Sequence, residues 1–531
     1  MPASRRYWLL LLLYFAVLLA PSGTVSIIES TEARYAEIAR EMVVSGDYLE
    51  PRLNGIKHFH KPPLAYWMVA AGFRIFGLNN FGARFFGVVF ACLAVLYLYR
   101  AARVLLGDDR KAFHAALVFA TSLLFLAVSR IASTEIYLVF FTVAAQFHLF
   151  RRIYEERRPA DAPLIGLFLG LGFLAKGHII FAFTLLPYLA AKLFDRTHRS
   201  VFRPAEVLSG IGAFLAVALP WYLLVIARNP GLLDYFLKVQ TVGRIATDRF
   251  HRYQPPWYFL YILAGTFVPY VLFLVRGIAS YRRMVPAMRT LLVYIVLPFL
   301  VFSAVKGKHA TYIAPLYGVI AVFTAESMAV FPSPVLRRIS VAMLALLAAA
   351  PGAAGFVVPA LYGARLPLLA ASAAALGMAW RSLECRSDDR FLHWTAACLL
   401  FLGTVGTVAY ALGSREARAY ETMTAGINRL DPERTRDILV YRAHLPSISF
   451  YRGKLAAMAF GMGREVQFET DDAWKDAWIA DRESLNRFLA GRKELFVVAS
   501  PGALASLLAE RPMSCAKVAG TKRYDAYLCG P

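Results

Sequence analysis

Tyr7-Trp-Leu-Leu-Leu-Leu-Leu-Tyr-Phe-Ala-Val-Leu-Leu-Ala20, an apolar run, precedes the charged stretch Thr31-Glu-Ala-Arg-Tyr-Ala-Glu-Ile-Ala-Arg-Glu-Met42. The first stretch is typical of a membrane-spanning helix, and we interpret it as a retained anchor because no convincing small-residue cleavage site follows it. The second concentrates carboxylates and guanidinium groups where the chain has just left the bilayer. Such charge is costly beside lipid unless it is solvated, paired or used. We therefore predict that this segment forms the floor of a reaction site.

The composition predicts a polytopic membrane protein. Hydrophobic residues make up 58% of the chain and the mean hydropathy is +0.51, which the polar surface of a soluble domain could not cover. Apolar stretches of the roughly 17 to 25 residues that a span needs recur along the first four-fifths of the sequence. We predict about thirteen transmembrane helices, near residues 7–27, 83–103, 112–129, 136–150, 161–175, 178–191, 206–227, 256–275, 286–304, 309–329, 338–360, 366–380 and 392–413.

The distribution of lysine and arginine predicts the orientation. Positive charge clusters in alternate short loops, which places the N-terminus in the cytoplasm, and an odd number of spans then places the C-terminal tail outside. Much of the net charge of +23 is explained by these loops. Because no nucleic-acid fold signature accompanies the basic charge, we do not expect a nucleic-acid partner.

A change in composition marks a second domain. Residues 1–413 are expected to form the transmembrane domain, and residues 414–531 a small soluble α/β domain in which strands and helices alternate. Ile448–Tyr451 is predicted to be one of its strands. Cys515 and Cys529 bracket its last hairpin and could form a disulfide in an oxidising compartment. The strand register does not place them cleanly opposite each other, so their pairing stays open.

The first outer loop, residues 28–82, is predicted to contain an amphipathic helix. Tyr35, Ile38, Ala39 and Met42 line one face at helical spacing, and that face would rest in lipid or against the spans. Glu37, Arg40 and Glu41 are expected to pair with one another. Glu32, Arg34 and Tyr35 lie at the entrance of the helix, close behind the first span, where a functional role is favoured.

The second outer loop, residues 229–256, is rich in positive charge on the side where the orientation predicts little. It carries Lys238, Arg244, Arg249, His251 and Arg252. Such a group predicts an anionic partner, for which a phosphate is the natural candidate; anionic lipid headgroups are the alternative.

Three shorter outer features accompany these loops. Glu135 lies at the start of a span, Lys176 ends a glycine-rich span, and Lys306, Lys308 and His309 form a dense cationic group. Each could lie at the membrane interface with its charge directed to water, although the dense group is harder to explain in that way.

The order and content of these segments resemble the bacterial aminoarabinose transferases, within the polyprenyl-phosphate-sugar glycosyltransferases that include the protein O-mannosyltransferases. The resemblance covers residues 1 to about 330. It rests on the following segments: Thr31–Met42, His60-Lys-Pro63, Gly170-Leu-Gly-Phe-Leu-Ala-Lys-Gly177, Leu219-Pro-Trp221, Pro256-Trp-Tyr258 and Lys306-Gly-Lys-His-Ala-Thr-Tyr-Ile313.

The resemblance implies an α-helical multispan fold of the GT-C type with interfacial helices in periplasmic loops. It also implies transfer of a sugar from a polyprenyl (undecaprenyl) phosphate carrier to an acceptor outside the bacterial inner membrane, such as a phosphate of lipid A. By position, the family's acidic and carrier-gripping residues fall on Glu32, Glu135 and Lys61. Thr31 replaces the family's usual aspartate, Gln240-Thr241 replaces an acidic-histidine pair, and His60 stands where glutamate often precedes the lysine. These departures make a bound metal doubtful, and no cofactor is expected.

The missing aspartate bears on the acceptor. A hydroxyl acceptor needs a positioned base, whereas a phosphate monoester, with a second pKa of about 6, is already largely an anionic nucleophile. The sequence therefore favours a phosphate acceptor, with Glu32 as base or orienting group and Glu29 as a nearby substitute.

The predicted site has three parts: catalytic residues, residues that bind the donor phosphate, and further substrate contacts. The predicted catalytic residues are Glu32, Arg34 and Glu135. Lys61, Arg244 and Lys306 are predicted to bind the donor phosphate, and Tyr35, Tyr66, Lys308 and Tyr312 to make further substrate contacts.

The alternatives within the enzyme class are protein O-glycosylation and transfer to another envelope glycan. A flippase or transporter for a lipid-linked sugar, or a scaffold that recruits partners, would belong to other classes. The absence of a visible two-fold repeat disfavours the transporter.

Overall fold

The computed structural model describes residues 3–29, 31–199, 201–243, 253–385, 387–413, 418–461 and 477–531. Contacts between Cα atoms divide the chain into two compact units. The first unit comprises Met1–Pro21, Gly87–Ile226 and Leu233–Ala409, and the second comprises Ser22–Phe86, Ala227–Leu232 and Tyr410–Pro531. The chain therefore returns to the second unit twice after leaving it.

Seven described helices are long and apolar enough to cross a membrane, because a rise of about 1.5 Å per residue lets roughly 20 residues span the hydrocarbon. They are Asn80–Leu106, Thr134–Tyr154, Pro204–Arg228, Pro286–Ala304, Pro334–Val357, Leu361–Glu384 and Asp388–Ala409. Helices Tyr258–Thr266 and Val271–Ala279 make an eighth candidate if they are counted as one span, although they are bent by 120° at their junction. Pro269 lies in that junction and has no N–H to continue a helical hydrogen-bond ladder. The chain is a multi-pass membrane protein.

The other predicted spans coincide with shorter or broken helices, so the count of thirteen stays a prediction. The remaining α-helices before residue 420 and outside the first outer loop are Ala3–Leu19, Asp109–Thr121, Leu123–Val128, Asp161–Lys176, Ile179–Phe183, Leu185–Phe194, Leu232–Asp234 and Leu316–Val330. The last two of the seven spans have their α-helical parts at Arg365–Glu384 and Asp388–Gly413. Tighter 3-10 turns occur at Arg196–His198, Tyr281–Arg283, Ala310–Ile313 and Pro359–Ala364, and a π-helix at Tyr235–Gly243.

In the second unit, the first outer loop folds into two helices and a small hairpin. The predicted amphipathic helix is present as Thr31–Ser45, called the loop helix below, and helix Leu64–Phe76 follows it. Strands β1 (Arg52–Leu53) and β2 (Ile56–Lys57) form the hairpin between them. The loop helix ends before Gly46, whose φ of +76° is a conformation that favours glycine.

The loop helix is buried on nearly all its faces, whereas the sequence predicted burial of its apolar face only, in lipid or against the spans. It packs against helix Leu64–Phe76 and against helix Pro446–Arg452 of the same unit. Glu32, Glu37 and Arg40 are buried along with the apolar face. Protein contacts therefore surround this charged helix, and its charges need protein partners.

The C-terminal stretch forms a six-stranded mixed sheet. Its strands are β3 (Ile438–Tyr441), β4 (Ala457–Ala459), β5 (Trp478–Ile479), β6 (Leu495–Ala499), β7 (Ser514–Gly520) and β8 (Asp525–Gly530). They lie in the order β5-β4-β3-β6-β8-β7. The four strands β5, β4, β3 and β6 are parallel, whereas β8 is antiparallel to both β6 and β7.

Helices cover both faces of this sheet. Residues of Ala419–Leu430 and Pro446–Arg452 pack in one apolar cluster, and those of Arg482–Ala490 and Pro501–Glu510 in the other. Ile56 of the first outer loop belongs to the first of these clusters, together with Met423 and Ile427. The hairpin of that loop thus shares a core with the C-terminal sheet.

Two expectations for the C-terminal stretch need correction. Ile448–Tyr451, predicted to be a strand, lies in helix Pro446–Arg452, which has Pro446 at its start and Gly453 in the left-handed conformation at its end. Short apolar runs do not by themselves distinguish strand from helix. Cys515 and Cys529 are paired directly across β7 and β8 and form a disulfide, so the expected misregister was wrong.

Candidate functional site

Glu32 lies in the first turn of the loop helix and is fully buried. Its two carboxylate oxygens accept hydrogen bonds from the Nε and Nη2 atoms of Arg84, at 2.8 and 2.7 Å. The backbone N–H of Ile28 also donates to this carboxylate, at 3.0 Å. A two-pronged guanidinium contact fixes the orientation of a carboxylate. This arrangement favours the orienting role of Glu32 over the role of general base.

Glu37 and Arg40 form a second buried pair on the same helix. The Nε and Nη2 atoms of Arg40 each donate to one carboxylate oxygen of Glu37, both at 2.7 Å. Arg40 Nη1 lies 3.5 Å from the carbonyl oxygen of Gly453, in the C-terminal stretch. The predicted pairing of these two charges is therefore present, and it also ties the loop helix to the end of helix Pro446–Arg452.

The carboxylate of Glu41 binds the tip of the β1–β2 hairpin. It accepts hydrogen bonds from the backbone N–H groups of Asn54 and Gly55, at 2.5 and 2.9 Å. Both turn residues have positive φ, which is typical of an Asn-Gly hairpin turn. Burial raises the pKa of Glu41 to about 8, and the nearby charge of Glu37 acts in the same direction.

Glu29 differs from these three glutamates. Both of its carboxylate oxygens are buried, and neither has a hydrogen-bond partner within 3.5 Å among the residues that the structure describes. Burial raises the pKa of Glu29 to about 7, which the neighbouring Ser447 and the charge of Arg34 partly oppose. A carboxyl group with such a pKa suits acid–base chemistry, but its oxygens are not open to an acceptor in solution.

Four of the predicted site residues surround the start of the loop helix and of helix Leu64–Phe76. Arg34 and Lys61 are half-buried, and the rings of Tyr35 and Tyr66 lie 5.2 Å apart. Tyr66 is only 2% exposed and Tyr35 8%. Burial of this ring pair indicates a packing role, and the predicted sugar contacts of the two tyrosines stay predictions.

The first residue of the second outer loop is anchored in the same unit. Asn229 is fully buried; its amide oxygen accepts from Lys57 Nζ at 2.8 Å and its amide nitrogen donates to Glu50 at 2.8 Å. Lys57 and Glu50 also form an ion pair of 3.2 Å. This network fixes the start of the loop that carries Arg244. Arg244 itself lies outside the described residues, as do Arg249, His251 and Arg252.

In the other unit, Glu135 is the centre of a separate polar group. Its carboxylate forms an ion pair with Lys176, which is 6% exposed, and accepts a hydrogen bond from Thr311 Oγ1 at 3.1 Å. The Lys176 ammonium lies 4.9 Å from the centre of the Tyr312 ring. The structure thus brings together Glu135 and Tyr312, two predicted site residues, through a lysine that the sequence left as a plausible interfacial residue.

The two lysines of the Lys306–Lys308 group have different surroundings. Lys306 is exposed, whereas Lys308 is 5% exposed and donates to the carbonyl oxygen of Gln254 at 2.7 Å. Burial lowers the pKa of Lys308. This contact favours a role for Lys308 in joining two outer segments, while Lys306 is the member of the pair that is open to an anionic ligand.

Arg84 is the main residue of the site that sequence reasoning missed. It lies near the start of helix Asn80–Leu106 and is 4% exposed. An arginine inside an apolar span is rare and has a partner in most cases, so its position was a usable signal.

No metal-binding group is evident in the part of the chain that the structure describes. Nowhere among the described residues do three or more His, Cys, Asp or Glu side chains meet in a way that could hold a metal ion. The described carboxylates Glu32, Glu37 and Glu135 instead have cationic partners.

Comparisons with known proteins agree in the class of protein they point to. The family model for dolichyl-phosphate-mannose-protein mannosyltransferase matches residues 60–223. The undecaprenyl phosphate-alpha-4-amino-4-deoxy-L-arabinose arabinosyl transferase of Edwardsiella ictaluri is 32% identical over 390 residues, covering 70% of this chain and 70% of that protein. The protein of the same name from Yersinia enterocolitica is 30% identical over 422 residues, 75% of each chain.

Among solved structures, the chain is similar to the crystal structure of ArnT from Cupriavidus metallidurans bound to undecaprenyl phosphate. The TM-score is 0.86 at 20% sequence identity, and the match covers 98% of both chains. At this identity the similarity concerns the fold, and it extends over nearly the whole length of the two proteins.

Proposed function

The chain belongs to the family of undecaprenyl phosphate-aminoarabinose arabinosyl transferases, and we propose that it moves this sugar from undecaprenyl phosphate to a phosphate group of lipid A. It is a membrane glycosyltransferase that uses a polyprenyl-phosphate sugar donor. The sugar and the carrier in the proposal follow the names of the relatives. The acceptor is argued from the site.

The proposal that the acceptor is a phosphate rests on the hydrogen-bond partners of the carboxylates. Each of the three glutamates on the loop helix is already engaged: Glu32 by Arg84, Glu37 by Arg40 and Glu41 by two backbone N–H groups. A hydroxyl acceptor would need a base within hydrogen-bonding reach. A phosphate monoester needs none, because it is largely dianionic at neutral pH. The site therefore suits an acceptor that arrives as an anion.

The proposed reaction is a single displacement. An oxygen of the acceptor phosphate attacks the anomeric carbon, and the bond from that carbon to the carrier phosphate breaks. The carrier phosphate leaves with the bonding electron pair as undecaprenyl phosphate, and the configuration at the anomeric carbon is inverted. No proton needs to be removed from a dianionic acceptor.

Cationic side chains stabilise the leaving phosphate in this scheme. Lys61 and Lys306 are the described candidates, and Arg244 is the third. Negative charge grows on the carrier phosphate as the bond breaks, so fixed cations stabilise the transition state more than the ground state. Glu32 does not take part in proton transfer; it orients Arg84 and the entrance of the loop helix. Arg34, at that entrance, helps to order the donor and the acceptor in this scheme.

The proposal includes the orientation of the protein. We place the N-terminus in the cytoplasm, the two long outer loops and residues 414–531 in the periplasm, and the protein in a bacterial inner membrane. The asymmetry of lysine and arginine supports this orientation. The disulfide between Cys515 and Cys529 also supports it, because such bonds persist in oxidising compartments.

The test is transfer by the purified protein in lipid nanodiscs. The donor is undecaprenyl phosphate-aminoarabinose, and the acceptors are lipid A, lipid A treated with phosphatase and a serine- and threonine-rich peptide. We expect the mass increment of one aminoarabinose on lipid A alone. An increment on the phosphatase-treated lipid would contradict the phosphate acceptor, and one on the peptide would favour protein O-glycosylation, the alternative supported by the mannosyltransferase model.

A further inference from the structure

Arg84 binds three backbone carbonyl groups of the segment between the first span and the loop helix, and Arg418 binds a fourth, that of Thr24. Arg84 Nη1 donates to the carbonyl oxygens of Ser22 and Val25, at 2.7 and 2.6 Å, and Nη2 donates to that of Ser26 at 3.0 Å. The same guanidinium holds Glu32. The position of Arg84 therefore sets the path of residues 22–28 and the place where the loop helix begins.

A tyrosine of the C-terminal stretch holds the same segment from its other side. The Tyr451 hydroxyl accepts a hydrogen bond from the backbone N–H of Ile27 at 2.7 Å and donates to the Asn80 amide oxygen at 2.8 Å. Burial raises the pKa of Tyr451, so its hydroxyl keeps the proton that it donates. One side chain thus joins residues 22–28 to the first residue of helix Asn80–Leu106.

Glu421, in helix Ala419–Leu430, also contacts both residues 22–28 and Asn80. One carboxylate oxygen of Glu421 accepts from Ser26 Oγ at 2.5 Å and lies 3.4 Å from the Asn80 amide nitrogen. Asn80 and Arg84 are four residues apart on one helix, so they lie on the same face one turn apart. A shift of Asn80 would therefore move Arg84 and, through it, Glu32.

We propose that Tyr451 is a positioning residue of the transfer reaction, through which residues 410–531 fix the geometry of the loop helix. This inference rests on the function proposed above. It gives the C-terminal stretch a role in the reaction itself, in which Tyr451 acts through Ile27 and Asn80 on Arg84 and Glu32. The physical reason is that a shift of about 1 Å in the elements that position substrates is expected to cost on the order of 100-fold in rate.

The test replaces the hydroxyl alone. Tyr451→Phe keeps the ring and removes both hydrogen bonds, and Tyr527→Phe is the matched control, because the Tyr527 hydroxyl contacts Asp525 within the sheet and not the outer loop. We expect Tyr451→Phe to lower kcat about tenfold or more with little change in the KM for the donor. Tyr527→Phe should match the wild type. Unchanged kcat in Tyr451→Phe would overturn the proposal, and so would an equal loss in the control.

Hydrogen–deuterium exchange provides a readout that does not depend on activity. Loss of the acceptor for the Ile27 N–H should speed exchange in the peptide that covers residues 22–33 by about tenfold, as expected for one lost hydrogen bond. Peptides of β3 and β6 should exchange as in the wild type. Unchanged exchange in residues 22–33, or faster exchange throughout the sheet, would overturn the proposal. If the wild-type protein transfers no sugar, the proposed function fails, while this measurement still decides whether Tyr451 orders residues 22–33.

A second variant separates coupling from general damage. Asn80→Ala removes one of the two partners of the Tyr451 hydroxyl, so the loss of kcat in the double variant should be smaller than the product of the two single losses. Fully multiplicative losses would mean that the two side chains act independently, which contradicts the proposed route from Tyr451 to Arg84.

Discussion

Arg84 donates five hydrogen bonds, two to Glu32 and three to backbone carbonyl oxygens. The sequence predicted that Glu32 matters, but not what holds it, because Arg84 lies 52 positions further along the chain. The Glu37–Arg40 pair was predicted, since three residues on a helix bring two side chains together. Pairings within a helix follow from spacing alone, whereas pairings between elements need the tertiary fold.

The first prediction at the scale of single residues concerns Lys61. Lys61→Ala should lower transfer at least about 100-fold, because it removes a cation on which the developing charge of the carrier phosphate depends. Lys517→Ala is the control, since Lys517 lies exposed on strand β7 and pairs with Asp525. Both variants should reach the membrane at wild-type levels. Wild-type transfer by Lys61→Ala would remove this lysine from the leaving-group site.

The buried carboxyl groups predict how stability depends on pH. The pKa values of Glu29 and Glu41, raised to about 7 and about 8, lie above the ordinary carboxyl value. The native state therefore binds protons that the unfolded chain has released. This contribution to stability is fully present below about pH 4.5 and is lost as the pH rises through 7 and 8. For Glu29 it is on the order of 3 kcal/mol at most.

Thermal unfolding of the detergent-solubilised protein between pH 5 and 8 checks this prediction. The midpoint should fall as the pH rises, and Glu29→Gln should flatten the slope because an amide does not titrate in this range. Glu433→Gln changes an exposed carboxylate and should leave the slope as it is. A slope of opposite sign would show that other groups dominate.

At the scale of elements, amphipathic spacing predicted the loop helix and its end at Gly46, but it left open whether lipid or the spans cover the apolar face. An apolar stripe indicates that a face is buried, but not whether lipid or protein covers it. The helix at Pro446–Arg452 was mistaken for a strand because Ile, Phe and Tyr are common in strands. Its proline at the first position and its glycine after the last residue were the local signals that favoured a helix.

The prediction at the scale of elements concerns the close packing of two apolar helices. A Cβ atom on Gly166, in helix Asp161–Lys176, would lie 1.9 Å from the carbonyl oxygen of Gly210, in helix Pro204–Arg228. Small residues allow membrane helices to approach in this way. Gly166→Val should therefore lower stability by about 1–3 kcal/mol or more. Gly212→Val is the matched control, since nothing lies within 4 Å of its Cβ position.

Thermal unfolding and the amount of folded protein in the membrane measure this effect. Both variants place a β-branched residue in a helix, so propensity cancels between them. Equal midpoints for Gly166→Val and Gly212→Val would contradict the close approach of the two helices.

On the scale of the whole molecule, the predicted fold class is confirmed: the chain is an α-helical polytopic membrane protein of the GT-C type, similar over nearly its full length to ArnT. Hydropathy identified the apolar regions. It did not predict which ones would form long continuous helices, because breaks such as the one at Pro269 depend on local backbone bonding. The grouping of the first outer loop with the C-terminal stretch could not be predicted from the sequence either, because it depends on contacts between residues nearly 400 positions apart.

The cysteines allow the orientation to be tested in the protein as it exists. In spheroplasts, a membrane-impermeant maleimide should label Cys515 and Cys529 only after an impermeant reductant has opened their disulfide. Cys385, predicted to face the cytoplasm, should react only after lysis, and Cys385→Ser should remove that signal. Labelling of Cys385 in intact spheroplasts, or of Cys515 and Cys529 only after lysis, would contradict the predicted topology.

The second unit is assembled from three separate stretches of chain, Ser22–Phe86, Ala227–Leu232 and Tyr410–Pro531. A ribosome synthesises the loop helix among the first residues and the partners of Ile27 and Asn80 among the last. Since folding during synthesis proceeds from the N-terminus, the early segment has to persist without these partners through most of translation and membrane insertion. A chain that stops before Tyr451 would therefore carry every residue of the loop helix and still lack the side chain that contacts both Ile27 and Asn80.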